Sequence, residues 1–154
     1  MPFALSKKSI TELTGVHADL VAVVHRAIQL TTQDFAVHDG IRTLAEQQKY
    51  FAAGVAKTMK SKHLPQPDGF GHAVDLVPVI NGQLRWEWGA IYPIAAAMRQ
   101  AVEELGVAVV WGGVWDRKLN DLSENAIGLS SDVQSYAARH PGPDFLDGPH
   151  YQLA

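Results

Sequence analysis

Residues 61–75 have the sequence SKHLPQPDGFGHAVD, in which a loop leads into an apolar strand. The first eleven of these residues include two prolines and two glycines, a composition typical of a loop. Residues 73–77, Ala-Val-Asp-Leu-Val, are predicted to form a strand because of their β-branched content. Side chains alternate along a strand, so Asp75 points to the face opposite Val74 and Leu76. Burying a bare carboxylate is costly, so Asp75 must either be exposed or be paired with a cation.

A second segment, Asp147-Gly148-Pro149-His150, supplies another carboxylate and a histidine near the end of the sequence. A catalytic zinc site usually has three protein ligands and one position for water. His63, Asp75 and His150 would form such a set, and Asp147 would aim its carboxylate at the water as a general base. An isolated histidine is more often a surface residue than a ligand. The spacing alone therefore leaves an ordinary structural explanation open.

The composition narrows the classes of function. The sequence has 154 residues, 47% hydrophobic and 19% charged, and we expect one globular domain spanning residues 1–154. It has no cysteines, so a metal would be held by His, Asp or Glu. A formal charge of −3 argues against nucleic acid as a partner. No apolar run is long enough for a membrane helix, and the first eight residues lack the pattern of a signal peptide.

Helical and strand patterns are mixed along the chain without a regular β-α-β repeat. The predicted elements are helices over 18–31, 43–53 and 92–105, strands over 34–38, 73–77, 107–111 and 150–153, and a small hairpin around Asn81-Gly82. Thr43 and Glu46 form the capping-box pattern of the second helix. Pro93 suits a helix only in its first turn, so the third helix is predicted to begin near Tyr92. We expect an α+β fold with a small, largely antiparallel sheet packed with helices.

The segment between Trp115 and Asp147 is polar and irregular, with one helix predicted near 132–139 and a Pro-Gly-Pro break at 141–143. Three interpretations of this segment are open: a substrate-binding lid, a cation-binding loop or a solvated insertion. The solvated insertion is the default expectation. The acidic residues available to a cation are Asp116, Asp121, Glu124 and Asp132. Trp115 follows two glycines and is a candidate to line the cleft and bind substrate.

Ser61-x-His63 followed by Gly71-x-Ala73-x-Asp75 resembles the Ser-x-His-x-x-Gly-x-Ala-x-Asp signature of D-Ala-D-Ala carboxypeptidase-like zinc peptidases. Asp147-x-x-His150 matches the second half of that pattern, in which an acidic residue stands three positions before the last ligand. The resemblance extends from about Ser6 to Leu153. Other segments resemble the L-alanyl-D-glutamate endopeptidase branch, whose members include phage endolysins: Asp34-Phe35, Gly40-Ile41-Arg42-Thr43 with Gln47, Val79-Ile80-Asn81-Gly82 leading to Trp86, and Trp111-Gly112-Gly113-x-Trp115.

The resemblance implies a hedgehog/D-Ala-D-Ala-peptidase-like fold and one catalytic zinc ion bound by His63, Asp75 and His150. It implies that Asp147 is the catalytic base. It also implies that Arg42 polarises the scissile carbonyl or steadies the oxyanion, a task that suits a guanidinium because it is always charged.

The alternative role for Arg42 is a structural salt bridge. Ser61 is expected to orient a ligand or the substrate, because no base beside it is evident in the sequence.

The sequence departs from the signature in one respect. About five extra residues lie in or near 65–69, so His63 and Asp75 are 12 residues apart rather than seven. Extra length is tolerated in a loop. The insertion nevertheless makes His72, three residues before Asp75, a rival to His63. Strand alternation places His72 on the opposite face from Asp75, which favours His63, but whether His72 replaces or assists it stays open.

As a function, the resemblance implies a zinc-dependent peptidoglycan endopeptidase that hydrolyses the L-Ala–D-Glu bond of the stem peptide. The expected role is that of a monomeric phage endolysin without a separate cell-wall-binding domain. Such an enzyme is made in the host cytoplasm and acts in the periplasm on the cell wall after its release. Two alternatives remain: a D-Ala-D-Ala carboxypeptidase or dipeptidase with the same zinc site, and a non-catalytic, metal-stabilised wall-binding module.

Overall fold

An antiparallel sheet lies at the centre of the computed structural model, which describes residues 2–54, 61–140 and 145–154. In chain order its strands are β1 (Phe35–Asp39), β2 (Ala73–Ile80), β3 (Gln83–Leu84), β4 (Val109–Trp111) and β5 (His150–Leu153). Four of them are arranged in the order β1-β2-β5-β4, and β3 pairs with the end of β2. The C-terminal strand β5 therefore lies between two strands from the middle of the sequence, which brings His150 beside the strand that carries Asp75.

The helices of the described residues are α1 (Lys7–Glu12), α2 (Ala18–Leu30), α3 (Leu44–Ala52), α4 (Trp88–Leu105) and α5 (Ala126–Arg139), with a short 3-10 turn at Leu119–Asp121. The α+β class and the largely antiparallel sheet are confirmed. The capping box of α3 is also confirmed, because Thr43 and Glu46 each accept a backbone hydrogen bond from the other. The hairpin turn is confirmed at Asn81 and Gly82, whose φ angles of 53° and 75° suit a type I′ turn. None of the helices in the described ranges is long and apolar enough to cross a membrane.

The helix α4 packs on β2, the helix α2 packs on α4, and both belong to the hydrophobic core that includes Val74 and Leu76 of β2. Burying each such aliphatic side chain stabilises the fold by about 1.5–3 kcal/mol. The fully buried residues that α2 and α4 contribute include Leu20, Val23, Val24, Ala27, Ile94, Met98 and Val102. Because strand side chains alternate, the opposite face of β2 presents Asp75 away from this core. The hydrophobic core thus supports one face of the sheet and leaves the other for polar groups.

The start of α4 was predicted wrongly. The helix begins at Trp88, four residues before Tyr92, and Pro93 lies inside it. Pro93 removes one helical N–H, but tertiary packing holds the first turn in place. Trp88 lies 6.3 Å from Trp111 of β4 between ring centroids, and Gly148 packs so closely that an added Cβ there would be 3.0 Å from Ile91.

The default expectation of a solvated insertion between Trp115 and Asp147 was also wrong. The helix predicted over 132–139 begins at Ala126, capped by the side chain of Asn125, which accepts from Gly128 N. Three of its residues, Leu129, Val133 and Tyr136, are buried against the core, so α5 is part of the packed structure. The Pro-Gly-Pro break at 141–143 lies outside the described residues.

The backbone contact between Gly112 and Asp147 generates a stability prediction. A Cβ on Gly112 would lie 2.0 Å from the carbonyl oxygen of Asp147, so the backbone would have to move. We expect Gly112→Ala to lower the free energy of unfolding by about 1–3 kcal/mol. The matched control is Gly89→Ala in α4, where an added Cβ meets nothing within 4 Å and helix propensity favours alanine by up to about 1 kcal/mol. Urea unfolding in the presence of a chelator measures the stability of both variants. Equal unfolding midpoints for Gly112→Ala and Gly89→Ala would contradict the prediction.

Candidate active site

Three acidic and imidazole side chains lie in a row across the sheet. Asp39 of β1 is opposite Asp75 of β2, and Asp75 is opposite His150 of β5. Residues directly opposite each other in an antiparallel pair point to the same face. A register irregularity between Val37 and Asp39 lets the end of β1 join this row. The row lies on the face that the helices α2 and α4 leave free.

His63 joins this row from the loop that precedes β2. Its Nε2 atom lies 3.3 Å from Oδ1 of Asp75, and Nδ1 of His150 lies 3.3 Å from the same oxygen. One ligand atom from each of the three residues falls within 4.8 Å of the others. Two of the three, His63 and His150, are more than nine-tenths buried. The structure therefore brings together the three residues that the sequence predicted as metal ligands.

Backbone and side-chain acceptors orient both imidazoles. Nδ1 of His63 lies 2.8 Å from the carbonyl oxygen of Gly40, and Nε2 of His150 lies 2.9 Å from Oε1 of Gln152. A carbonyl oxygen only accepts, so these contacts place the proton of each neutral ring on the far nitrogen. In each neutral ring, the nitrogen that faces Asp75 then carries no proton and directs its lone pair toward that carboxylate. Such outer contacts are typical of metal-binding histidines.

The acceptor atoms at this point fit a cation. Oδ1 of Asp75 is buried and accepts no well-aligned hydrogen bond from the residues that the structure describes. With both rings oriented as above, one carboxylate oxygen and two imidazole lone pairs converge with no proton between them. A set of two nitrogens and one oxygen with an open fourth position is typical of catalytic zinc sites.

Burial and charge shift the pKa values of these groups. Burial raises the pKa of Asp75, but its contacts with His150 and His63 outweigh that effect and hold the pKa well below the usual range. Burial lowers the pKa of His150, whereas its contacts with Asp75 and Gln152 raise it above the ordinary value. Burial, followed by the charge of Asp75, raises the pKa of Asp147. Without a cation, Asp75 is thus an anion that shares protons with the two rings, and a bound metal ion would take the place of those protons.

The loop that carries His63 is fixed by hydrogen bonds at each residue. The hydroxyl of Ser61 accepts from His63 N at 3.1 Å, and the carbonyl of His63 accepts from Arg42 N at 2.8 Å. The carbonyl of Lys62 accepts from His72 N at 2.8 Å. The hydroxyl of Ser61 therefore contacts the backbone of a candidate ligand, and the orienting role expected for Ser61 stays a prediction.

A cavity of about 480 Å³ opens over these residues. All seven residues predicted from the sequence line it, namely Arg42, Ser61, His63, Asp75, Trp115, Asp147 and His150. The ring of Trp115 lies 5.3 Å from that of His150, and its Nε1 donates to the carbonyl of Phe145 at 2.6 Å. The carboxylate of Asp147 accepts no hydrogen bond from the described residues, although its backbone N–H donates to Gly112 O at 2.9 Å. Asp147 thus borders the cavity with its carboxylate available.

Arg42 is buried and makes several contacts at the cavity wall. Its guanidinium donates twice to the carboxylate of Asp39 and once to Oε1 of Gln47, at 2.7 Å for the latter. The guanidinium carbon also lies 4.8 Å above the ring centre of Tyr50. The structural salt bridge considered for Arg42 is present, and it also fixes the guanidinium at the cavity.

His72 lies away from the three converging ligand atoms. Its Nε2 is 2.7 Å from Oδ2 of Asp68, and its ring is 5.3 Å from that of His17. Asp68 belongs to the inserted residues of the loop, so the insertion ties His72 to the start of α2. This arrangement follows from strand alternation, which turns His72 from the face of Asp75.

The acidic residues of the segment 116–146 do not come together in the described part of the chain. Asp116 pairs with Arg139 at 3.0 Å, and the side chain of Asp132 accepts from Ser123 N at 2.8 Å. The only group of three potential ligands found among the described residues is that of His63, Asp75 and His150.

Sequence reasoning missed three contributors to the site: Gly40, Gln152 and Asp39. Gln152 had a usable signal, because it lies two residues after His150 in a strand and therefore on the same face. No signal in the sequence indicated the contact of the Gly40 carbonyl with His63 or the position of Asp39 beside Asp75. Both depend on how β1 and the loop before β2 meet in space.

Comparison with known proteins identifies the family of the chain. A family model described as phage L-alanyl-D-glutamate peptidase matches residues 1–154. The chain belongs to this family. It is 34% identical over 120 residues to the L-alanyl-D-glutamate peptidase of Escherichia phage T5, a match that covers 75% of this chain and 84% of that protein. A crystal structure of the Serratia marcescens L-Ala D-Glu endopeptidase ChiX is similar with a TM-score of 0.71 and 32% identity, over 98% of this chain and 90% of that one. The chain is thus a peptidase, and the resemblance noted in the sequence is confirmed.

The positions of the two loop histidines of this peptidase generate a metal-binding prediction. We expect His63→Ala to lose zinc, because it removes one of three converging ligand atoms, whereas His72→Ala keeps about one equivalent. Metal analysis of each variant after dialysis measures the content. Loss of zinc from His72→Ala with retention by His63→Ala would instead assign the ligand to His72.

Proposed function

We propose that this peptidase is a zinc-dependent endopeptidase that hydrolyses the L-Ala–D-Glu bond of peptidoglycan stem peptides. The observation that carries the proposal is the convergence of His63, Asp75 and His150 at one point of a cavity that Asp147 also borders. The relatives from phage T5 and Serratia marcescens are both named for this bond. These names favour the endopeptidase over a D-Ala-D-Ala carboxypeptidase.

His63, Asp75 and His150 would hold the zinc ion through Nε2, Oδ1 and Nδ1. A zinc ion bound there supplies Lewis-acid polarisation of the scissile carbonyl and lowers the pKa of the attacking water to about 7. Zinc needs both imidazoles neutral, so the raised pKa of His150 means that metal binding displaces protons. The carbonyl of Gly40 and the amide of Gln152 keep the two rings in the required orientation.

Asp147 is proposed as the general base. Its carboxylate takes a proton from the attacking water and then delivers that proton to the leaving amine. Partial burial and the charge of Asp75 raise its pKa, which makes it a stronger base than an exposed aspartate. The backbone contact of Asp147 with Gly112 fixes the position of this residue relative to the sheet.

Arg42, Ser61 and Trp115 are proposed to serve the substrate. Arg42 uses three N–H groups on Asp39 and Gln47, and a guanidinium has five. The remaining donors of Arg42 are proposed to steady the oxygen of the scissile carbonyl. Ser61 positions His63 from the cavity edge, and the indole of Trp115 forms an apolar wall beside His150.

The membership of a phage family supports a role as an endolysin. We propose that the peptidase acts as a monomer on the peptide part of the cell wall after its release from the host cytoplasm. Peptidoglycan is then its partner, and lysis of the host cell is the outcome.

The cleaved bond is tested by digesting purified peptidoglycan and weighing the fragments by mass spectrometry. We expect fragments that end at L-Ala and begin at D-Glu, loss of activity with a chelator, and recovery with zinc. Release of a terminal D-Ala alone would replace the proposal with a carboxypeptidase. Intact peptidoglycan with zinc-loaded protein would contradict catalysis altogether.

The proposed base generates a separate prediction. Asp147→Asn should lower kcat by about 10²–10⁴-fold, because the amide cannot accept the proton, while zinc content is retained. The matched control is Asp121→Asn, an exposed aspartate that does not line the cavity, which should keep full activity. Activity of Asp147→Asn equal to that of the control would remove Asp147 from this role.

A further inference from the structure

Two basic side chains line the cavity among the residues that the structure describes, Arg42 and Lys62. They differ in their partners. Arg42 is paired with Asp39, bonded to Gln47 and stacked on Tyr50. Lys62 is exposed, and its ammonium group makes no ion pair or hydrogen bond with any residue in the described ranges. Of these two described cations, Lys62 is therefore the one whose charge is not paired with a residue of the described ranges.

The backbone of Lys62 is held in place although its side chain is not. Its carbonyl accepts from His72 N at 2.8 Å, and its neighbours are linked by the bond from His63 N to the hydroxyl of Ser61 at 3.1 Å. The ammonium is thus tethered next to a proposed zinc ligand by a flexible four-carbon stem. Because Ser61, Lys62 and His63 all line the cavity, this stem can extend toward a ligand bound there.

Each aspartate of the cavity has another partner or a proposed role, so none of them requires Lys62 to neutralise its charge. Asp39 is paired with Arg42, and Asp75 lies between the rings of His63 and His150. Asp147 must keep its lone pairs for the proposed proton transfer. A further anion that entered the cavity with the substrate would be repelled by these groups unless a separate cation received it.

The proposed substrate carries such an anion. A glutamyl residue has two carboxyl groups, and a peptide chain continues through only one of them. The other stays ionised at neutral pH unless it is converted to a carboxamide. In an L-Ala–D-Glu bond this free carboxylate belongs to the residue that supplies the leaving amine, so it enters the cavity next to the metal ligands.

We infer that Lys62 is the specificity residue that receives the free carboxylate of the D-Glu residue. The inference rests on the proposed function. It makes the peptidase selective for stem peptides in which this carboxylate is unmodified over those in which it is a carboxamide. A charge-assisted contact of this kind corresponds to a preference of about 10- to 100-fold.

The test uses two synthetic peptides that contain the L-Ala–D-Glu bond and differ only in a carboxylate or a carboxamide at that group. Wild type should cleave the carboxylate peptide with the higher kcat/KM, by about 10- to 100-fold. Lys62→Met should bring the ratio of the two kcat/KM values close to one, mainly because kcat/KM for the carboxylate peptide falls. Lys62→Arg should keep most of the wild-type ratio. Zinc content and the melting temperature should stay unchanged. Lys8→Met, on the exposed face of α1, is the control and should keep the wild-type ratio.

The outcomes separate the two proposals. If Lys62→Met keeps the wild-type ratio, or loses activity equally on both peptides, the assignment of Lys62 is overturned while the proposed function stands. A wild-type ratio that does not fall as ionic strength rises also overturns it, because an exposed charge contact is screened by salt. If the zinc-loaded wild type cleaves neither peptide, the proposed function fails and the inference fails with it.

Discussion

The carboxylate of Asp75, held between two imidazoles on an otherwise apolar strand, is the constraint on which the site depends. Its oxygen lies 3.3 Å from a nitrogen of His63 and 3.3 Å from one of His150. A buried carboxylate without a cation or hydrogen-bond donors would destabilise the fold. The three groups therefore need either protons or a metal ion between them. The contacts of both rings with Gly40 and Gln152 favour the metal, since they place the ring protons on the far side.

The sheet is what gives that constraint its geometry. The order β1-β2-β5-β4 places a strand from the end of the chain beside β2, and the antiparallel register sets His150 opposite Asp75. On the other face of β2, Val74 and Leu76 belong to one hydrophobic core with residues of α2 and α4. Because the core and the site use opposite faces of the same strand, the packing that stabilises the fold also positions the proposed metal ligands.

Charge is distributed within the cavity so that each group has one role. Arg42 neutralises Asp39 in the row beside Asp75. Asp147 differs from both, because among the described residues its carboxylate has no cation or imidazole within 4.0 Å. The inserted loop residue Asp68 holds His72 at a distance from the metal ligands. The extra length of this loop is thus compatible with the same ligand set, because the strand that follows it fixes the direction of each side chain.

The sequence by itself determined the α+β class, the motif residues and the preference for His63 over His72, since periodicity and strand alternation are local properties of the chain. The capping box at Thr43 and the turn at Asn81-Gly82 are local in the same sense. Only the tertiary structure decided that α4 begins at Trp88 and that α5 packs into the core, because long-range burial outweighs local propensity there. Only it showed that Arg42 is paired with Asp39 and that Gly40 and Gln152 orient the two rings. The contact of Gly40 with His63 joins segments that are far apart in sequence. The pairs Arg42–Asp39 and His150–Gln152 are close in sequence, but the directions of their side chains depend on how the strands pair.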